Sequence, residues 1–402
     1  MATASPATSF AIIGLGVLAG TLDTAVNVAF PAITAAFTLE LQAIQWVVIA
    51  YMLTYSSLIL VSGRLGDLYG HRRIFGVGAA VSAAAFLGCA LAPDYGWLLA
   101  ARLLQGAGMA LTVGCAPALA LSVYPESERT RTLARFSAIF AIGLALGPLA
   151  GGALVEVFGW RAVFWSRVPL MLAALLLLAR VPAAPVSAAR RPFNAPILPP
   201  RLFADVGFTL VNLCSIAVNL AGFAALLLGP YWFVRISGLS VLSVGVLLAI
   251  APAGALIGAA LATPLVQRMG AYHVATASAG VVVAGVAFAG FWTPATGVAA
   301  MGAVLLLQGL GVGIFQVAYG DIVIGTLPLE DRGVAGSLAN LTRTLGVVGG
   351  AVLLSALHQS ANLDALNAGA DEVTAFVAGF RHAVAWAAGG LGLLVVAMVL
   401  KR

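Results

Sequence analysis

Gly63-Arg64-Leu65-Gly66-Asp67-Leu68-Tyr69-Gly70-His71-Arg72-Arg73 is a short polar stretch set between two long apolar ones. Its residue types suit a connection between two closely packed helices. Glycine tolerates a tight turn. Asp67 is placed to end one helix near the positive N-terminal end of the next. Arg72 and Arg73 suit pairing with acids or with lipid phosphates at a membrane surface.

Working outward, the apolar runs recur along the whole chain. Of its 402 residues, 62% are hydrophobic and 8% are charged, against roughly 25% charged in a soluble domain. A spanning helix needs about 20 apolar residues. The runs give twelve candidate spans, starting near Phe10, Ala43, Ile74, Trp97, Leu133, Trp160, Val206, Leu239, Val274, Thr296, Val334 and Phe380. The first run exceeds a signal-peptide core and holds Asp23 and Asn27, so it is expected to span rather than to be cleaved. The expected class is an all-α integral membrane protein.

Residues 181–204 interrupt the series with six prolines and three arginines, Arg190, Arg191 and Arg201. Proline stops helices, so this segment reads as a cytoplasmic linker. It separates a six-helix bundle at 1–180 from a second at 205–402. The bundles look like copies of one unit. Gln105-Gly106-x-Gly108 recurs as Gln308-Gly309-x-Gly311, and the same displacement carries Gly143 and Gly147 onto Gly346 and Gly350 and Arg129 onto Arg332. Leu65 and Gly70 echo in Leu265 and Gly270. Duplicated, pseudo-symmetric halves are a common transporter plan.

The net charge of +6 comes almost wholly from arginine, with Lys401 the sole lysine. Arg64, Arg72, Arg73, Arg129, Arg131, Arg190, Arg191, Arg201, Arg268 and Arg332 fall in loops on one side. Arg161, Arg167, Arg235 and Arg381 are assigned to loops on the other. The positive-inside rule then places both termini in the cytoplasm. This distribution gives no aqueous basic face for nucleic acid. A phosphate-binding G-x-x-x-x-G-K-[ST] loop, an H-E-x-x-H pair and a close Cys/His cluster are absent from the sequence, so no nucleotide, metal or other cofactor is expected. Cys89, Cys115 and Cys214 sit in apolar runs and read as small hydrophobes.

The stretch at Gly63 to Arg73 resembles the signature of the major facilitator superfamily, G-x-L-x-D-x-x-G-x-R-R, after the second helix. Leu22-Asp23-Thr24-Ala25-Val26-Asn27-Val28-Ala29-Phe30-Pro31 resembles the first-helix motif of its drug:proton antiporters. Arg102-Leu-Leu-Gln105-Gly106-Ala-Gly108-Met-Ala110 resembles the fourth-helix motif. Gly143-Leu-Ala-Leu-Gly147-Pro148-Leu-Ala-Gly151-Gly152 resembles the fifth-helix antiporter motif. The resemblance extends to the branch that usually has fourteen helices, whereas this chain has room for twelve. It implies two bundles rocking around a midplane cavity, with Gly63, Asp67, Gly70, Arg72 and Arg73 as a conformational gate. It further implies proton-driven export of small hydrophobic or amphipathic compounds from a bacterial-type inner membrane, by a protein working as a monomer among lipids. An uptake symporter or uniporter is the alternative, and a non-transporting sensor a more distant one. No enzymatic nucleophile and base converge.

Physical chemistry singles out the same residues. Asp23 falls in the middle of an apolar helix, where an isolated ionised carboxylate is expensive. It is expected to take up and release the coupling proton, or else to be held by a partner such as a helical arginine. Arg102 lies inside its span and stays charged. The resemblance gives it a role in proton transfer or gating, and plain bonding between helices is the alternative. Asn27, Tyr51, Tyr55, Gln105, Asn212, Asn219, Gln308, Gln316, Tyr319 and Asn340 are the candidate cavity residues, polar groups or aromatics within spans. Small residues four apart at Gly143, Gly147 and Gly151 allow helices to approach closely, and Pro148 can kink the fifth.

Overall fold

Ser5 opens the first helix, its hydroxyl accepting the Thr8 N–H ahead of Pro6 at the first helical position, a favoured start for both residue types. The computed structural model describes residues 5–182, 204–326 and 335–401. Twelve helices there are long and apolar enough to cross a membrane. They are α1 Pro6–Val28, α2 Leu41–Tyr69, α3 His71–Ala90, α4 Tyr95–Ser122, α5 Arg129–Phe158, α6 Ala162–Arg180, α7 Val206–Ile236, α8 Val241–Met269, α9 Ala271–Ala289, α10 Val298–Thr326, α11 Ala335–Asn367 and α12 Glu372–Leu400. No strand occurs among the described residues.

The chain divides into two compact units, Met1–Leu39 with Trp46–Phe193 and Glu40–Gln45 with Asn194–Arg402. The expected linker at 181–204, with Arg190, Arg191 and Arg201, lies almost wholly outside the described residues. So do the start of the eleventh span at Val334 and the match of Arg129 to Arg332. The twelfth helix starts at Glu372, about two turns before the expected Phe380. Its cap explains the early start, since Asp371 accepts the Thr374 N–H. That cap holds the Asp371 carboxyl below the usual carboxylate range. Arg381 is therefore helical rather than in a loop, and its Nη2 donates to the Trp292 carbonyl at 3.2 Å.

The duplication is visible in how each unit packs. Gly70 joins α2 to α3 with φ +92°, and Gly270 joins α8 to α9 with φ +82°. Both lie in the region that glycine enters without a steric penalty. A Cβ on Gly108 of α4 would meet the Gly78 carbonyl and Ser82 N of α3. A Cβ on Gly311 of α10 would meet the Ser278 carbonyl and Val282 N of α9. These are the same two backbone atoms, 200 residues on.

Along α5, Gly143 faces Thr21, Gly147 faces Thr24 and Gly151 faces the backbone of Ala25. Along α11, Gly346 faces Ile216 and Asn219, and Gly350 faces Leu220. In each unit a ladder of small residues brings the fifth helix against the first, where close backbone approach supplies the attraction that lipid does not. Pro148 and Gly152 are buried on α5.

Candidate functional site

The first helix does not run through its span unbroken. After Thr21 it tightens into a 3-10 turn, Leu22–Thr24, before resuming at Ala25. A mid-helix 3-10 segment marks strain or a functional hinge. This one carries Asp23. The α5 glycine ladder supports it from behind, with the Thr24 hydroxyl donating to the Leu144 carbonyl at 3.2 Å.

Asp23 is a partnered carboxylate. Arg102 of α4 grips it with two N–H groups, Nη1 to Oδ1 at 2.7 Å and Nη2 to Oδ2 at 3.0 Å. Gln105, one turn along, donates to Oδ1 at 2.8 Å and accepts from Arg102 Nη1. Arg167 of α6 donates to Oδ1 from the other side at 2.7 Å. The two guanidinium side chains are 1% and 2% exposed, against 15% for the Asp23 side chain. Bidentate, charge-assisted bonds of this kind are the strong ones.

Backbone and aromatic groups fix both arginines. Arg102 Nε donates to the Val47 carbonyl of α2, and Arg167 Nε to the Val163 carbonyl in its own helix. The Arg102 guanidinium lies 4.5 Å from the Tyr51 ring, which stacks on Tyr55. Arg167 lies 4.5 Å from the Phe86 ring and 5.3 Å from that of Phe164, within the range of cation–π attraction. Asn27 is buried one turn beyond Asp23.

The sequence reading treated Arg167 as a loop residue, and the structure corrects it. The signal was present: beginning the sixth span after Arg167 leaves only residues 168–180, far short of the roughly 20 that a crossing requires. Arg161 next to it does sit at the helix entrance, donating to the Ala92 carbonyl at 2.9 Å.

The second unit holds a hydrogen-bonded polar cluster built from uncharged side chains. Tyr319 of α10 donates to Asn212 Oδ1 of α7 at 2.8 Å, and Asn212 donates to the Phe208 carbonyl. Thr342 of α11 lies 3.0 Å from Ser215 and 3.3 Å from Tyr319. Asn219 accepts from Gln316 at 3.3 Å. Gln308 donates to the Ala221 carbonyl. Asn340 is half-buried on α11, and its carbonyl accepts from Thr344. Of the ten candidate cavity residues, four, Asn212, Asn219, Gln316 and Tyr319, are thereby joined side chain to side chain in this unit. A cleft of about 560 Å³ opens elsewhere in it, beside Arg235, Asn362, Glu372 and Phe376.

The stretch at Gly63 is mostly helix. α2 runs on to Tyr69, and Gly70 alone forms the turn. A Cβ on Gly63 would meet nothing within 4 Å, so that glycine is not required by packing. Asp67 pairs with His71 at 3.1 Å across the turn. Arg72 finds a protein partner, donating to the Ala179 carbonyl at the end of α6 at 3.1 Å. Arg73 is exposed. Cys89, Cys115 and Cys214 are free and buried.

Comparison with known proteins agrees with this architecture. The chain is 23% identical over 393 residues to the riboflavin transporter RibZ of Clostridioides difficile, covering 86% of each. It is 37% identical over 216 residues to the cephamycin export protein CmcT of Amycolatopsis lactamdurans, covering 50% of this chain and 44% of that one. Its matches to other curated relatives likewise span less than half of those proteins. A bacterial homologue of the human lysosomal transporter Spinster, crystallised inward-facing and unoccupied, superposes with a TM-score of 0.80 at 17% identity, over 98% of this chain and 96% of that one. The family model for the Major Facilitator Superfamily matches residues 12–351. With twelve spanning helices in two related units, this multi-pass membrane transporter belongs to the Major Facilitator Superfamily.

Proposed function

We propose that the chain exports small amphipathic compounds in exchange for protons, by alternating access. The observation that carries this reading is Asp23, a carboxylate held by two arginines on a 3-10 break in the first helix. A carboxylate in that setting is a switch: its proton decides whether α4 and α6 stay tied to α1. Protonation removes the charge that both guanidinium groups hold and weakens those ties, biasing the conformational equilibrium. The α5 ladder lies directly behind the same turn, so movement of α5 is transmitted to it.

Export is favoured over uptake by the fifth-helix motif and by the export protein among the relatives. Arg64, Arg72, Arg73, Arg131 and Arg268 near one set of helix ends favour cytoplasmic termini in a bacterial inner membrane. Inside-out vesicles test the direction. With an inward-acid gradient imposed, an exporter accumulates added compound in the vesicle lumen. Depletion under the same gradient indicates a symporter, and movement indifferent to the gradient a uniporter.

A further inference from the structure

The polar cluster of the N-terminal unit does not balance its charge. Arg102 and Arg167 contribute two positive charges and Asp23 one negative, and arginine does not surrender its proton inside a protein. The neighbours Gln105, Cys89, Tyr51, Phe86, Phe164 and the carbonyls of Val47 and Val163 carry no formal charge. One positive charge is left over among buried side chains, where an unpaired ion is costly.

The hydrogen-bond inventory locates the surplus. Asp23 Oδ1 already accepts three bonds, from Arg102, Gln105 and Arg167. Arg102 uses all three of its nitrogens. Arg167 uses Nε and Nη1 only. Its Nη2 is buried and has no hydrogen-bond partner. The unused N–H donors of the cluster thus lie on Arg167, one of the two guanidinium groups that share the surplus charge. The Phe86 and Phe164 rings nearby offer π faces and an apolar wall, but cation–π attraction is weaker than a charge-assisted hydrogen bond.

We propose that this corner receives the anionic group of the transported compound, with Arg167 as its principal contact. The inference rests on the transport reading and narrows its substrate class to amphipathic acids. A carboxylate, sulfonate or phosphate brings the cluster to neutrality and supplies acceptors for Nη2. An apolar body attached to it meets the stacked rings of Tyr51 and Tyr55, while Phe86 and Phe164 stay packed in the core. A cationic compound meets the opposite situation, since the Asp23 carboxylate is already held by two guanidinium groups.

The test uses three fluorescent probes sharing one dansyl body: dansylglycine, dansylglycinamide and dansylcadaverine, which are anionic, neutral and cationic. Binding to the purified protein in nanodiscs is read from dansyl emission. The wild type is expected to bind dansylglycine at least about tenfold more tightly than the other two, as a charge-assisted bond commands. Arg167→Gln removes that preference and Arg167→Lys keeps part of it. Equal binding of all three probes by the wild type, preference for dansylcadaverine, or no binding of any probe overturns the proposal. If Arg167→Gln does not fold, the wild-type series alone decides. Anion-selective binding without movement in vesicles leaves this inference standing and removes the transport reading instead.

Discussion

The two units share a frame and differ in charge. In both, the fourth helix carries a glutamine that reaches toward the first helix of its own unit. Gln105 meets the Asp23 carboxylate there, and Gln308 meets the Ala221 carbonyl. Arg102 has its positional counterpart in Leu305, buried like it. The glycine contacts between third and fourth helices recur at the same backbone atoms, and in both units glycines of the fifth helix meet the first, against the Thr21 and Thr24 side chains in one and chiefly the Ile216 and Leu220 backbone in the other. Packing is thus the conserved inheritance of the duplication. Among the described residues, the buried ionic cluster occurs in the N-terminal copy. A buried charged cluster is costly and is retained where it does something, which is why the proposed switch is placed in the first unit.

The largest effect expected from perturbing this contrast is at Arg102. Arg102→Leu gives the first unit the residue of the second and removes the bidentate partner of Asp23. Arg167 still balances the Asp23 charge, so the cost is that of the lost charge-assisted bonds, about 1.5–3 kcal/mol each, to be read as a marked fall in melting temperature in detergent together with loss of transport. In the second unit, Tyr319→Phe deletes one neutral bond to Asn212 and costs about 1 kcal/mol. Near-equal costs would erase the distinction between the units.

Next comes the shared frame. Gly147→Val drives side-chain atoms into Thr24, beside the turn that carries Asp23, and overpacking of this kind costs about 1–3 kcal/mol. Gly350→Val meets the Leu220 carbonyl, 3.2 Å from the added carbon, and is expected to cost less. Transport rates and melting temperatures of the two variants check the order, and a milder effect at Gly147 would contradict the tight fit of α5 on α1.

The smallest effect lies at the surface. Asp205 caps α7 through the Gly207 and Phe208 N–H groups and bonds Lys401 at 3.2 Å. These donors hold its carboxyl below the usual carboxylate range. A carboxylate depressed in the folded state contributes stability above its unfolded pKa, about 3.9, and loses it as pH falls through the lower folded value. Asp205→Ala is therefore expected to lower the melting temperature slightly at pH 7 and not at pH 2. An equal shift at both values would mean that the contribution is not ionic.

Much of this was legible in the residues. Twelve crossings follow from apolar run length, and the duplication follows from glycine and glutamine spacing, because close helix packing admits few residue types. Asp23 and Arg102 stood out as charges within apolar runs, but their pairing did not, since helix crossings fix it and sequence distance does not. Arg167 was hidden by its neighbours: Arg161 and two tryptophans made the segment look interfacial. The early start of α12 was hidden by Glu372 and Arg381, charges that a helix end and a carbonyl partner accommodate. Gly63 shows the reverse case, a motif glycine for which local packing makes no demand.

The central claim is that Asp23 couples proton movement to transport. The direct measurement is substrate-induced proton flux in proteoliposomes, comparing wild type with Asp23→Asn at matched reconstitution, each first shown to bind a transported compound. The account predicts proton movement with the wild type and none with Asp23→Asn. Undiminished proton flux in Asp23→Asn would contradict it and move the coupling site elsewhere in the chain.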